Sequence, residues 1–346
     1  LESLQPWDLA YASERLRQAR FNVSDEDLYP YFRVDRVIDG LFRVAERLFG
    51  LDIRQRHDIP TWHPDVTVFE LRDQSLLGLV YLDVFARSRK RGGAWMAECR
   101  VRRRRGSVEH DAPIAFLTCN LAPPVDGKPS RLTHDEVITL FHEFGHGLHH
   151  LLTRVDCPPV AGIRGVPWDA VELPSQFLEN WCWQREALDL FAVHEETGEP
   201  IPEALYRRLL AARTFQSGLQ TLRQVEFSLF DLELHRDARP GQPDRVASTL
   251  ASVRDRVAVV QPPGWHRFAH AFGHIFAGGY AAGYYSYKWA EVLSADAYSR
   301  FEEDGAFNAE AGRAFRQHIL EKGGSDEILD LYVAFRGRPP TNQAFL

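Results

Sequence analysis

The strongest constraint on this chain lies in residues 133–152, THDEVITLFHEFGHGLHHLL. Thr133 followed three residues later by Glu136 is a capping box, so a helix is expected to begin there. Val137, Leu140, Phe141, Phe144, Leu148 and Leu151 recur at helical spacing and form a stripe that needs burial. The same helix carries His142, Glu143 and His146 in the pattern H-E-x-x-H. Residues four apart share a helical face, so the two imidazoles can converge on one ion, and zinc suits such ligands. Glu143, one step round from His142, is placed beside that ion as a general base for its water. Two imidazoles and a carboxylate on a mainly apolar helix are costly to bury unless ligated or hydrogen-bonded. Gly145 inside the helix costs about 1 kcal/mol relative to Ala. Its missing side chain leaves room for a close neighbour or for substrate.

A third ligand must come from elsewhere. The longer pattern HExxHxxGxxH would need Gly at 149 and His at 152, where this chain has His149 and Leu152. His149 stands about 10.5 Å along the helix from His142, too far for one ion to reach both. His149 and His150 are therefore expected to support the ligands or to face solvent. The segment VPWDAVELPSQFLENWCW, residues 166–183, puts Glu172, Ser175, Gln176 and Glu179 on one helical stripe, with Phe177, Leu178 and Trp181 elsewhere. Spacing leaves two readings open. Either Glu172 ligates zinc while Glu179 orients an imidazole, or the stripe is an ordinary solvated face.

Around these segments the texture changes twice. The first 60 residues read as helices, with Val37, Leu41, Val44 and Leu48 marking an amphipathic one. VTVFELR, LLGLVYLDVFA and PIAFLTCNL are short and β-rich, which predicts a small sheet within about 65–121. APPVDGKPS then turns the chain, and the remainder is helical, broken at GQPD (241–244) and QPPGW (261–265). The class is mainly α with one small sheet, and no linker divides residues 1–346. A hydrophobic content of 45% fits a folded chain, and no apolar run approaches the roughly 20 residues of a membrane span. The net charge of −7 argues against nucleic acid. The basic cluster from Arg87 to Arg105 lacks interleaved aromatics, so it reads as a solvated loop or hairpin tip. Cys99, Cys119, Cys157 and Cys182 form no CxxC pair, which predicts reduced thiols and a cytoplasmic protein. The chain starts on Leu and its first residues carry no signal-peptide pattern, so a fragment or a trimmed chain is expected.

HEFGHGLHHLL followed by GVPWDAVELPSQFLENWCW resembles the thimet oligopeptidase-type family of zinc metallopeptidases. The likeness continues through KRGGAW (90–95), LTHDEVITL and FGHIFAGGYAAGYYSYKWAEVLSADAYSRFEEDG, essentially from end to end. It implies a helical zincin-type catalytic domain with a small β-sheet beside the HExxH helix. It also implies one zinc ion held by His142, His146 and Glu172, the last being the Glu of V-E-x-P-S-Q, with Glu179 as a supporting carboxylate. The implied activity is hydrolysis of internal bonds in short peptides, with Glu143 as base.

Tyr280, Tyr284 and Tyr287 fall at spacings of four and three in a Gly- and Tyr-rich stretch that also carries His274. The spacing suits hydroxyls lining one wall of a helix. The resemblance implies that these four residues contact substrate and stabilise its tetrahedral intermediate. Gly278, Gly279 and Gly283 would permit close backbone approach and some loop movement. An exposed edge of the sheet is expected to align an extended peptide. The family's enzymes are longer, so its N-terminal helical region is expected to lie outside this chain. The expected partners are short peptides, with neither nucleic acid nor membrane, and the expected state is a monomer. Two other readings stay open: a dipeptidyl carboxypeptidase of the same family, and a non-catalytic zinc-bound peptide-binding scaffold. WDAVELPSQF looks closer to the endo-acting members.

Overall fold

The computed structural model describes residues 5–106, 109–236, 239, 241–242 and 244–346. Leu1 to Leu4 of the N-terminal segment and Pro243 of the GQPD break lie outside the described residues. The chain forms two compact units, each assembled from separated stretches, so no linker composition marks them. One joins residues 1–24 to 203–289, and the other joins 25–202 to 290–346.

The larger unit holds the sheet and the HExxH helix. Its helix Val34–Phe49 buries Val37, Leu41, Val44 and Leu48 and stops at Gly50, whose φ of 65° is a left-handed conformation that glycine adopts without steric cost. The expected helical region therefore ends before residue 60. Asp52–Arg56 is instead the strand β1, and its half-buried, polar sequence is what a sheet edge tolerates. Then come β2 (Thr67–Arg72), β3 (Leu76–Phe85), β4 (Trp95–Arg100), β5 (Arg103–Arg105), β6 (Glu109–Asp111) and β7 (Ile114–Leu121). The five-stranded sheet has the order β1-β2-β3-β7-β4, with β3 and β7 parallel and the other neighbours antiparallel. β1 and β4 are its edges.

β5 and β6 pair as a separate two-stranded ribbon, which takes the Arg103–Arg105 end of the basic cluster, while Arg87 to Arg91 lie in the loop between β3 and β4. Arg103 and Arg105 pair with Asp111, while Arg102 and Arg104 pair with Asp156. The four arginines thus share two of the protein's own acids.

The HExxH helix, His134–Leu151, crosses one face of the sheet against β7, β4 and β3. Its capping box is present, with Thr133 Oγ1 accepting from the Glu136 N–H at 3.1 Å and Glu136 accepting from the Thr133 N–H at 2.8 Å. The helix Leu173–Glu179 packs on its other side. Phe177 stacks on Phe315 at 3.9 Å between ring centroids, and Trp181 and Phe301 close the same aromatic core. Asp296, buried in the helix Ser286–Asp304, ties down the C-terminal segment. It accepts from Tyr332 Oη at 2.6 Å, from both terminal nitrogens of Arg338 at 2.9 Å, and from Thr341 Oγ1 at 2.8 Å.

The smaller unit is helical, built on Leu9–Phe21, Glu203–Ala212, Ser217–Arg236 and Arg245–Val257. Phe230, Leu234, Leu250, Val253, Phe272 and Ile275 form its core. Glu226, buried in that unit, is neutralised by Arg254 at 2.9 Å and Arg223 at 2.7 Å. Among the described residues, no helix is long and apolar enough to cross a membrane.

Removing the Asp296 carboxylate takes the acceptor from four donor atoms on three side chains at once. Asp296→Ala should destabilise the protein by roughly 2–4 kcal/mol. The urea midpoint should fall at unchanged m-value, and a shift under about 0.5 kcal/mol, typical of a neutral surface change, would refute the assignment.

Candidate metal centre

Glu172 does not sit inside one helix with Glu179, as the stripe had suggested. It occupies the joint between Trp168–Val171 and Leu173–Glu179, with φ −87° and ψ −3°. Pro174 sits in the first turn of the second helix, where a missing N–H costs nothing. Nor is the stripe an ordinary solvated face, although Gln176 and Glu179 are partly exposed. Glu172 is 1% exposed and Ser175 fully buried.

The joint delivers the Glu172 carboxylate to the HExxH helix. Its Oε2 lies 3.2 Å from His142 Nε2 and 3.0 Å from His146 Nε2. Ser175 Oγ donates to the same oxygen at 3.0 Å. Two nitrogen or oxygen donors each about 2.0–2.1 Å from one ion stand at most about 4 Å apart. The two carboxylate–imidazole distances fall inside that limit, and the three donor atoms all lie within 4.8 Å of one another, so a small adjustment closes the set on an ion. Two imidazoles and one carboxylate are a fitting set for a divalent ion such as zinc, with room left for a fourth ligand.

Electrostatics follow from that crowding. Burial alone would raise the Glu172 pKa, but His146 and His142 outweigh it and hold the carboxyl well below its usual range. Burial would likewise lower His142, but Glu172 and Glu179 outweigh it and hold the imidazole well above its usual value. Glu179 Oε1 takes the far nitrogen, Nδ1, of His142 at 2.6 Å. That bond fixes the ring orientation and leaves Nε2 facing Glu172 and His146. Glu143, 6% exposed, is raised by burial and by Glu172, against the pull of His142 and His146. The Met96 N–H of β4 also draws it down.

Gly145 makes the convergence possible. A Cβ there would stand 2.5 Å from the Pro174 carbonyl oxygen and 2.6 Å from Ser175 Cα. The room left by its missing side chain is filled by the segment bearing Glu172.

His149 and His150 do not face solvent. The helix is enclosed on the side they occupy, leaving His149 3% and His150 0% exposed. Burial, with His146 and His150 nearby, pushes His149 down to about 3, so the ring is neutral. His150 Nε2 instead bonds the Arg100 carbonyl at 2.9 Å, at the far end of β4.

His274, Tyr280, Tyr284 and Tyr287 belong to the smaller unit. They do not share one helix. A short helix, Gly273–Phe276, gives way to turns through residue 285. Gly279 at φ 89° and Ala282 at φ 56° hold left-handed conformations that interrupt any helix. The four rings are nonetheless gathered. Tyr280 stacks on Tyr287 at 5.2 Å, Tyr284 lies 5.1 Å from Tyr287, and His274 lies 5.7–6.2 Å from all three. Tyr284 also packs into the core against Phe227 and Phe272. What shapes the turn is Asp231, fully buried, which accepts from the Ala282 N–H at 2.8 Å and the Tyr284 N–H at 2.9 Å. The sequence reading missed Asp231. Its only signal was an acid one position from Phe230, a site where the helix must bury a ring.

Two glycines of the HExxH helix separate packing from propensity. Gly145→Ala should push the Glu172 segment away and lower zinc affinity at least tenfold, a loss on the scale of disturbing a ligand's supporting contacts. A Cβ at Gly147 meets nothing within 4 Å, so Gly147→Ala should keep zinc and gain up to about 1 kcal/mol of stability. Competition with a zinc indicator and thermal melting would check both. Equal zinc affinity in the two variants would break the packing argument.

The sequence profile of Peptidase family M3 matches residues 1–346. Oligopeptidase A of Escherichia coli (strain K12) is 56% identical over all of this chain and 51% of its own length. The organellar oligopeptidase A of Arabidopsis thaliana is 48% identical, over all of this chain and 45% of its own. Dipeptidyl carboxypeptidase of E. coli is 37% identical over 98% of this chain and 50% of its own. The chain thus spans about half the length of the curated relatives it matches. The M32 carboxypeptidase of Deinococcus radiodurans R1 superposes with a TM-score of 0.52 at 14% identity, over 99% of this chain and 65% of its own, a likeness of fold alone. With the profile match covering every residue and the E. coli relative more than half identical, the chain belongs to Peptidase family M3.

Proposed function

We propose that this chain is the catalytic portion of a zinc-dependent endo-oligopeptidase that hydrolyses internal bonds of short peptides. The observation that carries the reading is the meeting of the His142, His146 and Glu172 donor atoms with the Glu143 carboxylate beside them. In this reading His142, His146 and Glu172 hold one zinc ion, and Glu179 fixes the His142 ring. Bound there, zinc supplies Lewis acidity, which acidifies water and polarises a carbonyl.

The chain's own residues do the rest. Glu143 takes the proton from the attacking water and passes it to the leaving amine. Burial raises its basicity toward the range such a shuttle needs. His274, Tyr280 and Tyr287 are proposed to contact substrate and stabilise the tetrahedral intermediate, with Tyr284 anchoring their turn from the core and completing the set. The open edge of β4 is proposed to receive the extended peptide, because this edge strand packs on the helix that carries Glu143.

An endo-acting enzyme is favoured over a dipeptidyl carboxypeptidase by the higher identity to the oligopeptidases A, 56% against 37%. A reducing, cytoplasmic setting is supported by four cysteines left as free thiols. A monomer is the simplest state for such an enzyme.

A quenched-peptide assay tests the chemistry. Glu143→Gln should retain zinc and lose at least about a hundredfold in kcat, the scale of general-base catalysis. A chelator should abolish turnover and zinc should restore it. Equal rates for wild type and Glu143→Gln would sink the proposal.

Exo and endo action separate on a C-terminally amidated peptide. An endopeptidase should cleave it internally at a rate close to that of the free acid. Cleavage confined to the free acid, releasing dipeptides, would favour the carboxypeptidase reading.

A further inference from the structure

The loop between β3 and β4 is held more firmly than an exposed Arg- and Gly-rich loop needs to be. Asp83 of β3, 4% exposed, accepts from Arg87 at 2.5 Å, from Trp62 Nε1 at 3.1 Å and from Lys90 at 2.9 Å. The Lys90 side chain is itself 5% exposed and donates further to the Asp83 and Phe85 carbonyls, each at 2.7 Å. Asn120 of β7 donates to the carbonyls of Arg91 and Gly93, both at 2.7 Å. The backbone is thereby pinned on either side of the Arg91 side chain.

That side chain is exposed, and among the described residues its guanidinium has no carboxylate partner. It lies over the Trp95 ring, 5.6 Å from the centroid. Stacking on an aromatic face leaves the planar fork of N–H donors open at its edge.

Register places this group. Trp95 stands opposite Thr118 and Met96 opposite Leu117, and directly opposed residues share a face of the sheet. Leu117 is buried, and Cys119, two residues on, feels the Glu143 charge, so that face meets the HExxH helix. Trp95 and Arg91 therefore belong to the opposite face. An extended peptide on β4 alternates its side chains between the two faces. Every second one passes the Arg91 side.

We propose that Arg91, presented on Trp95, is a specificity-determining residue that recognises a carboxylate of the bound peptide, from an acidic side chain or from the free C-terminus. The inference rests on the reading of β4 as the peptide-receiving strand. A guanidinium held ready by a fixed loop loses little freedom on binding, which favours discrimination over an equally exposed but mobile arginine.

The test uses peptide pairs that differ by one group. In the first, Glu replaces Gln at successive positions of an amidated peptide. In the second, an all-Gln peptide carries a free or an amidated C-terminus. kcat/KM for wild type and Kd for Glu143→Gln are measured with each pair. One of the two sources of carboxylate should be preferred roughly two- to fivefold, as for an exposed ion pair. Arg91→Ala should abolish the preference, and Arg91→Glu should turn it toward Lys-bearing peptides. Arg91→Lys should restore only part, since an ammonium lacks the fork. Absence of any preference in Kd, or one that survives Arg91→Ala, overturns the inference. The Kd arm needs no turnover, so a wild type that cleaves nothing would count against the proposed hydrolysis and leave the Arg91 result to stand by itself.

Discussion

A carboxylate 1% exposed, facing two imidazoles, is the interaction to which the larger unit is fitted. Taking an ionised carboxylate out of water costs several kcal/mol even after relaxation, and only charge and hydrogen bonds at short range offset it. Glu172 finds them in His142, His146 and Ser175. All of this depends on two helices approaching until the Pro174 carbonyl occupies the space a Cβ at Gly145 would need. The helix gives up about 1 kcal/mol of propensity at that glycine. In exchange the donors meet.

The same helix also fixes the sheet edge. The Met96 N–H near the start of β4 draws the Glu143 pKa down, and His150 bonds the Arg100 carbonyl at the end of the strand. An edge strand left free in a chain usually needs some device that limits unwanted pairing. Here the strand is held near both ends by the helix that carries His142 and His146. A peptide lying along it would be held in register with Glu143, and small displacements at such sites are expensive in rate. The neutral, buried His149 lies between these ties, and its Nδ1 has no hydrogen-bond partner among the described residues.

In the smaller unit, Asp231 plays an organising part that resembles the part of Glu172 only in being buried. It satisfies two backbone N–H groups of the turn that collects His274 and the tyrosines, the one at Tyr284 being buried. Left-handed Gly279 and Ala282 allow the chain to double back there. The tyrosines are neighbours through this folded turn and not through a continuous helical face.

Much was legible from local pattern. Thr133 and Glu136 marked the helix start, the apolar stripe from Val137 to Leu151 marked its buried side, and spacing put His142 and His146 on one face. The β-rich runs and the helical remainder gave the class. These are properties of a few residues along one element, which a period of 3.6 or 2 encodes directly. The chain by itself could not say whether Glu172 was solvated or buried, because its stripe looks the same in either case. Nor could it show that Asp231 shapes a turn fifty residues away, that His150 reaches Arg100, or that the 346 residues form two interleaved units. Those outcomes depend on which backbones approach closely enough to exclude water, and that is settled only when distant segments pack.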